Sequence, residues 1–120
     1  MELIVRQESV DGAVLLRVAG EIDSSNVGEF AERLATAIPQ DCDPSRPLVV
    51  DLQDVTFFGS AGLNAVLACH EKGTANGASV RLVANRPEVL DPIRVTKLDS
   101  VLALYPTVSE AIVGTTSAKT

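Results

Sequence analysis

The sequence predicts an α/β fold in which a mixed, mostly parallel β-sheet packs against about four α-helices. Three observations support this prediction. Short apolar runs alternate along the chain with segments whose apolar residues recur at helical spacing. Asp11-Gly12 separates the first two runs and is a hairpin signal, so the sheet should begin with an antiparallel pair. Leu48 to Leu52 is a short apolar, β-branched run, which is typical of a strand buried on both faces in a parallel sheet.

The first third of the chain predicts two strands and a helix. The strands span Glu2 to Glu8 and Ala13 to Ala19. Asn26 and Glu29 have capping-box spacing, and Ser24 and Ser25 are further N-cap candidates. Pro39 should end the helix, and Gln40 to Pro47 should form an exposed loop. The apolar face of this helix is predicted to comprise Val27, Phe30, Ala31, Leu34, Ala35 and Ile38.

The central segment changes from strand periodicity to helix periodicity. A turn containing Gln53-Asp54 is expected after Leu52, followed by a second apolar patch from Val55 to Phe58. The central helix is predicted from Ala61 to about Lys72. This helix is apolar nearly all round, so either neighbouring elements or a partner helix must cover it. The candidates for its exposed side are Asn64, Cys69 and Glu71.

The last third predicts a strand, a helix, a short strand and a short helix. Ser79 to Ala84 alternates, with Val80 and Leu82 on one face. The next helix can begin at Pro87, but Pro92 predicts a kink or a late start with Asp91 as the cap. Val101 to Leu104 is the predicted last strand, and Thr107 to Glu110 is a capping-box pattern for a helix ending near Gly114. We expect one domain over residues 1–114 and a disordered tail over 115–120.

Composition predicts a small protein with no nucleic-acid, membrane or metal chemistry. The 120 residues carry a net charge of −6, and Lys and Arg are scattered, which argues against nucleic-acid binding. No apolar run approaches the roughly 18 residues of a membrane span, and the start is not basic, so a cytoplasmic location is expected. Cys42 and Cys69 lack metal-ligand spacing and are interpreted as free thiols.

Ser60 is the residue on which the functional prediction depends. It lies where a loop enters a helix, and the first turn of a helix offers unpaired N–H groups and the positive end of the macrodipole to an anion. Gly59 and Gly62 lack a Cβ, so another molecule could approach the Ser60 hydroxyl closely. These properties suit a serine that carries phosphate. The alternative is that Ser60 is only an N-cap.

Catalysis by Ser60 is not supported. The hydrolase motif G-x-S-x-G needs glycine at position 58, which is Phe58. His70 lies on the same helix, roughly 15 Å further along its axis, so it cannot act as a base for Ser60. No phosphate-binding P-loop motif occurs. The sequence therefore predicts no enzyme, no catalytic residue and no cofactor.

Two motifs resemble the STAS domain of the bacterial anti-sigma factor antagonists. The first stands here as Val50-Asp51-Leu52, Thr56-Phe57-Phe58 and Gly59-Ser60-Ala61-Gly62-Leu63. The second stands as Gly20-Glu21-Ile22-Asp23. The resemblance runs from about Glu2 to Val113, nearly the whole chain. One departure is Gly59, where the family often has aspartate.

The resemblance implies a STAS-like fold and a switch controlled by phosphorylation. It implies that the unmodified chain binds an anti-sigma factor that is also a serine kinase, that this partner holds ATP and magnesium, and that a phosphatase reverses the modification. Ser60 would be the phosphate acceptor, and the loop with Asp23 would lie beside it. The partner-binding residues expected on this basis are Asp23, Ser24, Gly59, Ser60, Ala61, Gly62 and Asn64.

Two alternatives stay open. The chain could be a constitutive STAS adaptor in a transport or stress-signalling assembly, with Ser60 only a cap. It could also be a small-ligand or nucleotide sensor that uses the helix N-terminus at Ser60 as an anion site.

Overall fold

The structure, a computed structural model, describes residues 3–38 and 47–114. Its strands are β1 (Leu3–Val10), β2 (Ala13–Ile22), β3 (Leu48–Phe58), β4 (Val80–Val83) and β5 (Ala103–Tyr105). They form one sheet in the order β1-β2-β3-β4-β5. β1 and β2 are antiparallel, and every later pairing is parallel. The predicted α/β class, the antiparallel start and the four helices are confirmed. Residues 39–46, which include Pro39, Cys42 and all of the predicted loop except Pro47, and residues 115–120, the predicted tail, lie outside the described residues. The helices are α1 (Val27–Ala37), α2 (Ser60–Ala75), α3 (Pro87–Val95) and α4 (Val108–Val113).

The hairpin between β1 and β2 forms at the predicted residues. Asp11 and Gly12 have φ of 51° and 85°, and Val10 pairs with Ala13. Positive φ at both central residues is the requirement of the two-residue turn that matches the twist of a hairpin. β2 continues to Ile22, three residues beyond its predicted end at Ala19.

The turn predicted at Gln53-Asp54 is wrong, because β3 continues through these residues to Phe58. Pairing with β2 passes from Arg17↔Asp51 to Ala19↔Asp54, so β3 contains one extra residue there. A second shift follows between Gly20 and Glu21, and Gly20 has φ of 105°, which favours glycine. Two bulges thus accommodate the irregular hydrophobic pattern that suggested a turn.

The ends of β2 and β3 extend beyond the rest of the sheet. β4 pairs with β3 only along Leu48–Asp51, so the remainder of β3 has β2 as its only strand neighbour. We call this two-stranded extension, residues 18–22 of β2 and 52–58 of β3, the overhang. Because the two strands are parallel, the loops after both of them lie at its tip.

The helices cover the two faces of the sheet unequally. On one face α1, α2 and α3 bury the larger core, including Phe30, Leu34 and Ile93, against strand residues such as Leu82. On the other face α4 buries Ala111 against a smaller cluster that contains Leu15, Val49 and Val83. The predicted division of β4 between two faces is therefore confirmed. None of the described helices is long and apolar enough to cross a membrane.

Several element ends differ from the predictions. α3 begins at Pro87 with Arg86 as N-cap and includes Pro92, so the late start with Asp91 as cap is wrong. The last strand spans Ala103–Tyr105 rather than Val101 to Leu104, because a short 3-10 turn occupies Leu98–Ser100. The α4 cap is confirmed, since Thr107 Oγ1 accepts a hydrogen bond from the Glu110 N–H at 3.2 Å.

Candidate functional site

Two loops meet at the tip of the overhang. One is the loop of residues 23–26 between β2 and α1, and the other is the junction between β3 and α2 at Gly59. Ile22 pairs with Phe58, and the Gly59 N–H donates to the Ile22 carbonyl at 3.3 Å. The structure therefore brings Asp23 and Ser60 to the same end of the sheet.

Ser60 is the first residue of α2, and its side chain is exposed. The N-cap is Gly59, and no side chain caps the helix, so the interpretation of Ser60 as an N-cap is wrong. The helix has no acidic residue in its first turn. Among the described residues the Ser60 hydroxyl has no hydrogen-bond partner. It lies next to unpaired N–H groups and the positive end of a 16-residue helix.

Gly59 has a backbone that other residues adopt readily, with φ of −83° and ψ of −178°. A Cβ at this position would lie 3.2 Å from Phe57 Cε2 and 3.4 Å from Phe57 Cζ. The Phe57 ring is half exposed. An aromatic ring thus covers the space that an aspartate at position 59 would use.

Gly62 has a different environment from the one the sequence predicted. It is buried, and a Cβ there would lie 2.8 Å from Ile22 Cγ2 and 3.1 Å from Phe58 Cε1. The missing side chain lets α2 pack closely on the overhang tip, rather than admitting another molecule from outside. Gly62 therefore fixes where the helix, and with it Ser60, lies.

The loop of residues 23–26 is held by its own side chains. Asp23 Oδ1 accepts hydrogen bonds from the Ser25 hydroxyl at 2.6 Å and the Ser25 N–H at 2.9 Å. These bonds, that from the hydroxyl foremost, lower the pKa of Asp23. Asn26 accepts from the Asp23 N–H and donates to the Glu21 carbonyl at 2.8 Å. Its side chain does not cap α1, so the capping box predicted with Glu29 is wrong.

The outward side of α2 continues from Ser60. Asn64 and Glu71 are exposed as predicted, and Ala61 is partly buried. Cys69 is buried rather than exposed, and desolvation raises the pKa of its thiol to about 11. Small residues of α1 and α2 form a shallow groove of about 100 Å³ beside it, lined by Ala31, Ala35, Ile38, Ala65, Ala68, Cys69 and Lys72. The exposure of Ala31 and Ala35 corrects their predicted place in the buried face of α1.

The sequence did not indicate Phe57 as a surface residue of this site. It was predicted only as part of the apolar patch from Val55 to Phe58. The bulge between Val55 and Phe57 changes the alternation of β3, so Val55 and Phe58 are buried while Phe57 is exposed. Within residues 3–38 and 47–114 no three His, Cys, Asp or Glu side chains are grouped so that they could hold a metal ion.

The mixed sheet, and the serine that begins α2 beside the loop of Asp23, agree with one family of domains. The chain belongs to the STAS-domain family, whose model matches residues 5–111. The resemblance noted from the two motifs is thereby confirmed.

Individual relatives share most of their length with this chain. It is similar to the anti-sigma-F factor antagonist RsfB of Mycobacterium tuberculosis, with 32% identity over 106 residues, 87% of this chain and 82% of the relative. RsfA of the same organism, also an anti-sigma-F factor antagonist, is 30% identical over 88% of this chain and 81% of its own length. The crystal structure of an anti-sigma factor antagonist from Mycobacterium paratuberculosis superimposes with a TM-score of 0.83, at 32% identity over 93% of this chain and 92% of that one.

Proposed function

We propose that this chain is an anti-sigma factor antagonist whose binding to its anti-sigma factor is switched off by phosphorylation of Ser60. The observation that carries the proposal is the exposed Ser60 hydroxyl, which has no described hydrogen-bond partner and begins a long helix beside the Asp23 loop. The relatives RsfB and RsfA support the general role by their names.

In this proposal the partner is both the anti-sigma factor and a serine kinase. It holds ATP and magnesium, and this chain supplies the acceptor hydroxyl, which a phosphatase later restores. The partner contacts the overhang tip and the start of α2. The residues proposed to face it are Asp23, Ser24, Gly59, Ser60, Ala61 and Asn64, while the buried Gly62 acts by placing them.

The switch acts by charge rather than by a change of fold. A phosphate on Ser60 adds about −1.5 to −2 charges. At the N-terminus of α2 this charge is stabilised by roughly 0.3–1 kcal/mol, so the isolated domain tolerates it. Asp23 carries a second negative charge in the neighbouring loop, where the hydrogen bonds from Ser25 lower its pKa. A partner surface closed over both charges loses several kcal/mol unless it supplies compensating cations, in line with the roughly 2–5 kcal/mol cost of a buried unpaired charge.

The test is capture of partners from native lysate with wild-type, S60A, S60E and S109E baits, followed by mass spectrometry. Ser109 is an exposed serine near the start of α4, so S109E adds a similar charge in a similar local setting on the opposite face of the sheet. We expect the wild type, S60A and S109E to retain a kinase-like anti-sigma factor and S60E to lose it.

Two results would contradict the switch. Equal retention of the same partner by S60E and the wild type would favour a constitutive adaptor. A sharp fall in the melting temperature of S60E would mean that the charge acts on folding rather than on the interface. A thermal-shift screen with nucleotides tests the remaining alternative, a nucleotide sensor, because a ligand that binds the folded state raises its melting temperature.

A further inference from the structure

The position of Ser60 depends on how the overhang leaves the sheet. β4 ends at Val83, which pairs with Asp51, and beyond this row β3 has only β2 beside it. The loops that carry Asp23 and Ser60 both lie at the far end of this extension. We call the place where the overhang leaves the sheet, next to Asp51, its root. The contacts that hold the root therefore also orient the site.

Asp51 lies at this root and is the single buried polar or charged residue in the described part of the chain, at 4% exposure. Its Oδ1 accepts hydrogen bonds from the Gln53 N–H and from Gln53 Nε2, each at 3.0 Å. Its Oδ2 accepts from Arg17 Nη1 at 3.3 Å. The first bulge lies between Asp51 and Asp54, so the carboxylate pairs the N–H of a residue inside the bulge.

The hydrogen bonds continue from Asp51 to the neighbouring strands. Asn85, which follows β4, donates to Gln53 Oε1 at 2.9 Å and to the Pro106 carbonyl at 3.2 Å. We call Arg17, Asp51, Gln53 and Asn85 the Asp51 network. It connects the root of the overhang to the chain segments that follow β4 and β5.

We propose that Asp51 is a positioning residue for Ser60, acting through its hydrogen bond to the Gln53 N–H. A one-residue change of register turns every following side chain to the other face, so the bulge determines which side of β3 faces the helices. If the carboxylate is removed, the Gln53 N–H loses its partner and the bulge loses its main side-chain support. The site then opens at the Gly59–Ile22 hydrogen bond more often than the rest of the sheet. The biological importance of this effect rests on the proposed function of Ser60.

The experiment is native-state amide hydrogen exchange by NMR, with the Gly59 N–H as the reporter because it donates to Ile22 across the site. D51A should accelerate exchange of the Gly59 N–H about tenfold or more beyond the acceleration that its loss of global stability explains. The reason is that the loss of a hydrogen bond to a charged group acts locally. D51N keeps an oxygen that can accept from Gln53 and should restore protection. R17M removes the ion pairs of Arg17 with Asp51 and Glu8 but keeps both hydrogen bonds from Gln53 to Asp51, so it should leave Gly59 protected.

V83A is the matched control. Val83 is fully buried, pairs with Asp51 and packs under α4, so its truncation destabilises the domain without touching the bulge. If V83A and D51A are equally stable and accelerate exchange of the Gly59 N–H by the same factor, the proposal is overturned. Rapid exchange in D51N or R17M would also overturn it, and these two variants decide the matter if D51A does not fold.

The functional readout is phosphorylation of Ser60 by the kinase-like protein that the wild-type bait captures, after its purification. We expect D51A to lower kcat/KM and D51N to restore it, with V83A unchanged at a temperature where all are folded. A wild-type protein that is never phosphorylated would refute the proposed function, and the exchange data would still decide the role of Asp51.

Discussion

Substitution of Gly62 by alanine tests whether close packing at the overhang tip places Ser60. The added Cβ would lie 2.8 Å from Ile22 Cγ2 and 3.1 Å and 3.2 Å from two atoms of the Phe58 ring. Favourable carbon contacts are about 3.5–4.0 Å, so the overlap with Ile22 approaches 1 Å. Ile22 and Phe58 are both buried and sit on paired strands, which leaves them little room to move. The start of α2 must therefore move outward.

Gly28 provides a matched comparison on another helix. It is exposed in the first turn of α1, and a Cβ there would meet nothing within 4 Å. G28A should stabilise the domain by up to about 1 kcal/mol, because alanine costs less backbone entropy in a helix than glycine. G62A gains part of the same term but suffers overpacking of about 1–3 kcal/mol. The difference between the two substitutions isolates the steric cost.

The assay is urea unfolding of the wild type, G28A and G62A at one protein concentration, with the free energy of unfolding taken from the midpoint and slope. We expect G62A to be less stable than G28A by about 1–3 kcal/mol. Chemical-shift changes in G62A should centre on Ser60 and Phe58. If G62A proves as stable as G28A, Gly62 does not hold α2 against the overhang, and the reasoning about the placement of Ser60 fails.

Three further predictions concern Gly59, Thr107 and Cys69. G59D should change the free energy of unfolding by less than about 0.5 kcal/mol in urea unfolding, because Gly59 needs no special backbone and the half-exposed Phe57 ring can move aside; a larger loss would mean that the ring is fixed. T107A should cost about 0.5–2 kcal/mol by the same assay, because it removes the oxygen that accepts from the Glu110 N–H, whereas T107S should cost far less. In a C42S background, Cys69 should react with Ellman's reagent at pH 8 only at the rate of opening, because burial raises the pKa of its thiol to about 11; labelling as fast as in urea would contradict this. Since the folded pKa of Cys69 lies above its unfolded value of 9.0, the contribution of this thiol to stability is complete below pH 9 and is lost as the pH rises towards 11.

The predictions that succeeded depend on local rules. Asp11-Gly12 forms the hairpin turn because its residues tolerate positive φ wherever they occur. Thr107 caps α4 because its hydroxyl reaches an N–H three residues along the chain. The division of β4 between two buried faces follows from the side-chain period of a strand. None of these needs knowledge of distant residues.

The predictions that failed concern places where distant residues decide the outcome. Gln53-Asp54 resembles a turn, but β2, which precedes α1 in the chain, pairs with this part of β3. The Asp51 carboxylate also accepts a hydrogen bond from the Gln53 N–H in the bulge there. Asn26 has the spacing of a cap, yet its amide bonds to Glu21 and Asp23 instead. Cys69 was expected on the exposed side of α2, but it is buried at the shallow groove between α1 and α2.

The candidate site shows the same division. The sequence by itself determined that Ser60 lies where a loop enters a helix, because the change in periodicity is a property of neighbouring residues. Only the tertiary structure decided that Gly59 is the cap, that Gly62 packs inward and that Phe57 is exposed. The physical reason is that two bulges in β3 set which side chains face the core, and a bulge is defined by pairing with a strand about 35 residues earlier in the chain.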